Sequence, residues 1–258
     1  MLMIDLRGRI ALVTGGSRGI GRGITLCLCR AGAYTVFTHT GNPEQAQGVA
    51  AFREQIQKEG LSAEDHPVDA LSPEGTEKVV EEILRGKGKI DILVCNVGQN
   101  LEREVEETTI PSWTHFMDTN LSSAFYAVKA VIPHMVKRRF GRIVLIGSSA
   151  VYDGGGGAID YAAAKAGLSG MMRYLCKSYA RKGINTNVVH PCVIGTDLVR
   201  RRYSTEEAWQ KLVSQIPVGR VGTPEDIGAM VAYLASSWGD YITGQEILLD
   251  GGRTMWRV

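Results

Sequence analysis

Short apolar runs of strand length alternate with helix-length segments along the whole chain, and this alternation restricts the fold more than any other feature. Residues 10–14 are apolar, 19–31 read as a helix stopped by Gly32, and 35–38 are β-branched and aromatic. Helical patterning follows over 43–58, a weak strand over 64–68, helix over 73–84 and strand over 90–95. Residues 111–139 read as one long amphipathic helical region, then come strand 143–146, helix 159–182 and strand 185–189. A loop with helices runs to Ser236, and 246–249 closes the series as a strand. Near-continuous apolar strands are buried on both faces, and their alternation with helices builds a parallel sheet. The expected fold is α/β: a doubly wound parallel sheet with helices on both faces. With no linker, repeat or low-complexity segment, residues 1–258 are expected to form a single domain.

Composition removes several classes of function. A net charge of +2 gives no field for nucleic acid or a membrane surface. The basic runs Lys137-Arg138-Arg139 and Arg200-Arg201-Arg202 are short enough to be solvated helix faces. The longest apolar stretches fall well below the roughly 20 residues that span a bilayer, and residues 1–5 carry no secretion signal. Cys27, Cys29, Cys95, Cys176 and Cys192 are scattered, without metal-binding spacing. Free thiols in a reducing, cytoplasmic compartment are expected, with no metal site.

Thr14-Gly15-Gly16-Ser17-Arg18-Gly19-Ile20-Gly21 links the first strand to the first helix. Glycines there allow a tight turn and close approach of a pyrophosphate, whose charge suits a helix N-terminus. The spacing is Gly-x-x-x-Gly-x-Gly, so the turn alone is modest support for a dinucleotide site. Sites for NAD usually place a carboxylate at the end of the second strand. This chain has Thr38-His39-Thr40-Gly41-Asn42 instead. Arg18, Thr40 and His39 can receive a 2′-phosphate, which favours NADP over NAD. A solvated Arg18 and a loop His39 are the plain alternative.

Tyr161 and Lys165 stand four residues apart on a helical stretch. Residues i and i+4 share a helix face, so an ammonium is expected beside a phenol. A free phenol titrates near about 10. A neighbouring positive charge lowers that value toward the range where acid–base catalysis is efficient. An ordinary tyrosine beside a solvated lysine is the alternative, and the pair alone does not separate the two.

Together with the glycine turn, Asn96-Val97-Gly98, Asn120, Ser148 and Tyr161-x-x-x-Lys165 appear in the order of the short-chain dehydrogenase/reductase family, which the whole chain resembles. Ser148 lies 13 residues and Asn120 41 residues before Tyr161, as in bacterial-type members. Residues 141–144, 161–167, 241–244 and 250–252 make the chain most similar to 3-oxoacyl-acyl-carrier-protein reductases. The resemblance implies a Rossmann-type fold and hydride exchange between a nicotinamide and a carbonyl or secondary alcohol. It implies Tyr161 as general acid or base, Lys165 as its pKa modulator and ribose contact, and Ser148 as the substrate-oxygen holder. Asn120 would position a relay water, Asp69 and Ala70 would meet adenine, and Asn96, Val97 and Gly98 would lie beside the adenosine ribose. Ile194 and Thr196 would meet the nicotinamide amide, and a homotetramer is implied through residues 111–139, 159–182 and 253–258. Val97 replaces a usual Ala and Cys192 a usual Gly.

Residues 99–104, 150–160 and a substrate loop at about 192–216 are expected to frame the pocket. Gln99, Asn100, Tyr152 and Asp153 suit a polar substrate such as a sugar, polyol or hydroxy acid. Arg139 and Lys182 fall where carrier-protein reductases dock an acidic partner. A sugar or polyol dehydrogenase therefore stands beside the carrier-protein reductase reading. A non-catalytic NADP-sensing protein stands as an alternative of another class.

Overall fold

The computed structural model describes residues 4–255. Residues 256–258, included above in an intersubunit contact, lie outside the described residues. A seven-stranded sheet runs in the order β3-β2-β1-β4-β5-β6-β7, with every pairing parallel. Its first half comprises β1 (Ile10–Thr14), α1 (Gly19–Arg30), β2 (Tyr34–His39), α2 (Pro43–Lys58), β3 (Ala63–Pro67), α3 (Pro73–Lys87) and β4 (Ile92–Cys95). Next come α4 (Ile110–Met117), α5 (Ser123–Arg138), β5 (Gly141–Ile146), the short α6 (Ala150–Asp153), α7 (Ile159–Tyr179) and β6 (Ile184–Pro191). The chain then forms α8 (Asp197–Arg202), α9 (Glu206–Ser214), α10 (Pro224–Ala235) and β7 (Glu246–Leu249).

The apolar runs are buried because both sheet faces are covered. Val13, Phe37, Val94 and Val189 pack with Ile24 of α1 and Ile227 and Val231 of α10. Leu12, Leu93, Leu145 and Val188 face the other way, against Val80 of α3, Val128 of α5 and Leu168 of α7. Among the described residues, no helix is long and apolar enough to cross a membrane.

The expected single helix over 111–139 is divided. A π-helical turn, Asp118–Ser122, separates α4 from α5. Asn120 sits in it, and its Nδ2 donates to the carbonyls of Phe116 and Gln99, both at 2.9 Å. Such widened turns recur where a helix must aim a functional group. Apolar periodicity does not register the one extra residue.

Candidate active site

The strand order reverses between β1 and β4, and in doubly wound sheets ligands bind in the crevice at that point. Thr14 and the loop after β4 hold its two sides together. The amide of Asn96 donates to Thr14 Oγ1 at 3.1 Å, and Asn96 Nδ2 donates to the Gly15 carbonyl at 2.9 Å. Val97 packs against Gly15, where an added Cβ would lie 3.2 Å from Val97 Cγ2. The larger valine thus fills the crevice floor. Side chains cap α2, α3 and α4, through Asn42, Ser72 and Thr109. Arg18 opens α1 without a capping bond, and the first turn of α1 carries no acidic residue. Its amides are left for an anion.

The turn closes tightly on the start of α1. A Cβ on Gly21 would stand 2.2 Å from the Gly15 carbonyl oxygen, so any other residue would push the turn off α1. Ser17 is buried, Gly19 and Ile20 are half-buried, and Arg18 is exposed. Thr196 reaches across from the start of the substrate loop, its Cγ2 lying 3.3 Å from where a Cβ on Gly19 would be. Ile194 is buried, and its carbonyl accepts from the Thr196 amide at 2.7 Å.

At the adenosine end the structure corrects one assignment. His39 is not a free phosphate ligand, because both of its ring nitrogens are engaged. Nδ1 accepts from the Gly41 amide at 3.1 Å, which leaves the proton on Nε2, 2.9 Å from Asp65 Oδ2. Arg53 grips the same carboxylate at 2.6 Å, and with His39 holds Asp65 below its usual range. His39 therefore shapes the 39–42 turn, leaving Arg18 and Thr40 exposed beside the crevice. Asp69 accepts from the Leu71 amide at 2.9 Å, presenting Ala70 on a turn.

Ser148, Tyr161, Lys165 and Asn120 converge past the ends of β4 and β5. A Cβ on Gly98 would fall 3.0 Å from both Asn120 Oδ1 and Lys165 Nζ, so Gly98 lets these two groups approach. Lys165 is 3% exposed, and its Nζ donates to the Ile146 carbonyl at 2.9 Å. Burial pulls its pKa down to about 8. Burial pushes the Tyr161 phenol up, and a hydrogen bond with Ser148 opposes that rise. The expected lowering of Tyr161 by Lys165 is absent in this state. The ammonium turns to a backbone carbonyl and stands 5.8 Å from the phenol ring centre. The direct polar partner of the Tyr161 phenol is Ser148.

Other functional-site residues were not singled out from sequence. His190, fully buried in β6, places Nδ1 3.1 Å from the Ser148 amide nitrogen and 3.0 Å from the Ser148 carbonyl oxygen. Its Nε2 lies 3.3 Å from Glu246 Oε2, off the line of a hydrogen bond. A carboxylate there repels a lone pair and attracts N–H, so Nδ1 accepts from Ser148. A lone histidine directly after the apolar pair Val188-Val189 was the available signal. Arg103 and Asp160 form a buried ion pair, and the Arg103 amide donates to the Gly157 carbonyl at 2.8 Å. These contacts tie residues 99–104 to 150–160. Arg202 on α8 pairs with Glu102, so the substrate loop touches the same wall. Val193 has φ +45°, a left-handed conformation that is costly for a β-branched residue and kinks the chain beside Cys192.

Comparison with known proteins agrees with this geometry. The family described as enoyl-(acyl carrier protein) reductase matches residues 15–254. The 3-oxoacyl-[acyl-carrier-protein] reductase FabG of Escherichia coli is 38% identical, over 98% of this chain and 100% of its own length. FabG of Aquifex aeolicus is 37% identical, over 96% and 98%. Among solved structures, a putative gluconate dehydrogenase from Agrobacterium tumefaciens superposes with a TM-score of 0.92 at 31% identity, covering 100% of both chains. A putative NAD(P)-dependent gluconate 5-dehydrogenase from Beutenbergia cavernae, with bound NADP, has a TM-score of 0.89 at 31% identity, over 98% and 99%. With its parallel sheet, glycine turn and serine–tyrosine–lysine cluster, the chain belongs to the short-chain dehydrogenase/reductase family and is an oxidoreductase acting on CH–OH groups.

Proposed function

We propose that the protein is an NADP(H)-dependent enzyme in which Tyr161, Ser148, Lys165 and Asn120 manage the proton while hydride moves between cofactor and substrate carbon. The observation that carries this reading is the clustering of Ser148, Tyr161 and buried Lys165 beside a tight glycine turn that opens an uncapped helix. The nicotinamide, when bound, supplies or accepts the hydride. In reduction Tyr161 Oη gives its proton to the carbonyl oxygen, which Ser148 Oγ holds in place; in oxidation Tyr161 takes the proton back. Lys165 and Asn120, brought together across Gly98, return that proton toward solvent. His190 fixes Ser148 by accepting its amide hydrogen.

Residues Gly15 to Gly21, Asn96 to Gly98, Asp69, Ala70, Ile194 and Thr196 form the cofactor bed. Exposed Arg18 and Thr40, with no carboxylate ending β2, support preference for the 2′-phosphate. The bound NADP of a structural neighbour supports the same cofactor. For the substrate, the exposed Gln99, the half-buried Asn100 and the exposed Tyr152 favour a short polar hydroxy or oxo compound. Cys192 in place of glycine narrows the floor. The carrier-protein reductase reading rests on the FabG relatives and on Arg139 and Lys182. Arg139 Nη2 bonds the Arg181 carbonyl at 3.1 Å, which brings these cations to one corner. Exposed Phe125 on α5 and Tyr174 on α7 support a homotetramer built on those helices, and the free thiols fit a cytoplasmic setting.

The test is turnover followed by nicotinamide absorbance on an acetoacetyl thioester, alditols and hydroxy acids. Tyr161→Phe should lower turnover by at least about a hundredfold, the scale for losing a positioned acid, with cofactor affinity retained. Wild-type turnover in that variant, or cofactor binding without turnover on any substrate class, would sink the proposal.

A further inference from the structure

Three arginines around the pocket are matched by carboxylates: Arg103 by Asp160, Arg202 by Glu102 and Arg220 by Asp226, while Arg200 lies over the Trp209 ring. Arg253 is different. Among the described residues its guanidinium meets only neutral groups, with Nη1 3.5 Å from Cys192 Sγ and Nη2 3.1 Å from Gln215 Oε1. Its Nε is buried without a partner. Asp250, three residues earlier, is taken by the amides of Gly252 at 2.9 Å and Thr254 at 2.6 Å.

Cys192 locates this guanidinium relative to the chemistry. Side chains alternate along a strand, so Cys192 continues the face of β6 that carries His190, the face turned to Ser148 and Tyr152. The Ser149 amide donates to the Pro191 carbonyl at 3.1 Å, which brings Cys192 within one residue of the catalytic serine's neighbour. Cys192 also contributes to raising the Tyr161 phenol. Gln215 closes the far end of the substrate loop. Arg253 thus stands at the C-terminal wall of the pocket, bonded to its floor and to its loop.

Among the described residues, this half-buried guanidinium, held by a thiol and an amide, meets no anion that would offset its desolvation. Its planar fork takes a carboxylate or a phosphate bidentately, and a single guanidinium balances the one charge of a carboxylate. We propose that Arg253 is the carboxylate-recognising end of the substrate pocket, and that the substrate is a small hydroxy- or oxo-acid whose reacting carbon sits at Tyr161. This rests on the reductase reading above and names its substrate class. A 3-oxoacyl thioester carries no carboxylate near its reacting carbon, so Arg253 would have no ligand there.

Wild type, Arg253→Met and Arg253→Lys are assayed with NADP+ on aldonic acids and the matched neutral alditols, and with NADPH on an acetoacetyl thioester. Wild type should prefer the acids. In Arg253→Met the acid-to-alditol ratio of kcat/KM should fall about ten- to hundredfold, the scale of a charge-assisted hydrogen bond, mainly through KM. Arg253→Lys should recover part of it. A wild type that prefers alditols or the thioester overturns the acid assignment while leaving the reductase reading intact. Equal loss on acids and alditols in Arg253→Met would make Arg253 structural and also overturns it. Preference for phosphorylated polyols over aldonic acids overturns the carboxylate. No turnover on any class overturns the reductase reading and this one together.

Discussion

Lys165→Met should make the protein without bound cofactor more stable at neutral pH while abolishing its chemistry. Burial depresses Lys165 from 10.5 to about 8, a difference worth about 3 kcal/mol at 1.36 kcal/mol per unit. Below pH 8 the lysine is charged in both states, and the native state bears that cost in full. Between pH 8 and 10.5 the unfolded chain keeps a proton that the native state has released, so wild-type stability rises with pH. Above 10.5 the lysine is neutral in both states and the cost is gone. Methionine removes the charge but leaves the buried Ile146 carbonyl without its donor, a loss of about 1 kcal/mol. The variant should therefore be about 2 kcal/mol more stable than wild type at pH 7 and slightly less stable near pH 10.5. Urea unfolding of both proteins across that range measures the gap, and groups common to both cancel. A Lys165→Met protein no more stable at pH 7, or a gap that does not change with pH, would refute the argument.

Other perturbations address the remaining parts of the site. Arg18→Ala should remove about 1.5–3 kcal/mol from NADPH binding and leave NADH binding unchanged, with salt narrowing the wild-type difference; titration calorimetry of both coenzymes checks it. Asp160→Ala strands Arg103 in a buried site and should cost about 3–5 kcal/mol of stability, the usual penalty for breaking such a pair, read by denaturant unfolding. His190→Leu leaves the Ser148 amide without its acceptor and should cost about 1–3 kcal/mol, with kcat falling more than cofactor affinity. His190→Asn, which can accept that hydrogen, should recover part of the kcat.

The strands and most helices were legible because burial on both faces leaves a signature in the chain itself. Helix α2 and strand β7 have the bounds their apolar and proline signals indicated. The π turn was not legible, because it depends on Asn120 finding the Gln99 backbone, 21 residues away. The ion pair of Arg103 with Asp160 spans 57 residues, and nothing local to either residue marks it.

The same limit explains the two corrections at the site. Tyr161 and Lys165 share a helix face as their spacing requires, but spacing does not fix where four methylenes carry an ammonium. The Ile146 carbonyl at the end of β5 takes it and holds it 5.8 Å from the centre of the phenol ring on which it was expected to act. His39 stands where a 2′-phosphate ligand was expected, yet Asp65, diagonal to it on the neighbouring strand, captures its ring. Each residue's identity was visible in the sequence; its partner belonged to another strand. Electrostatics at this site therefore follow from which strand ends are neighbours, and the order of the sheet determines them as much as the catalytic residues do.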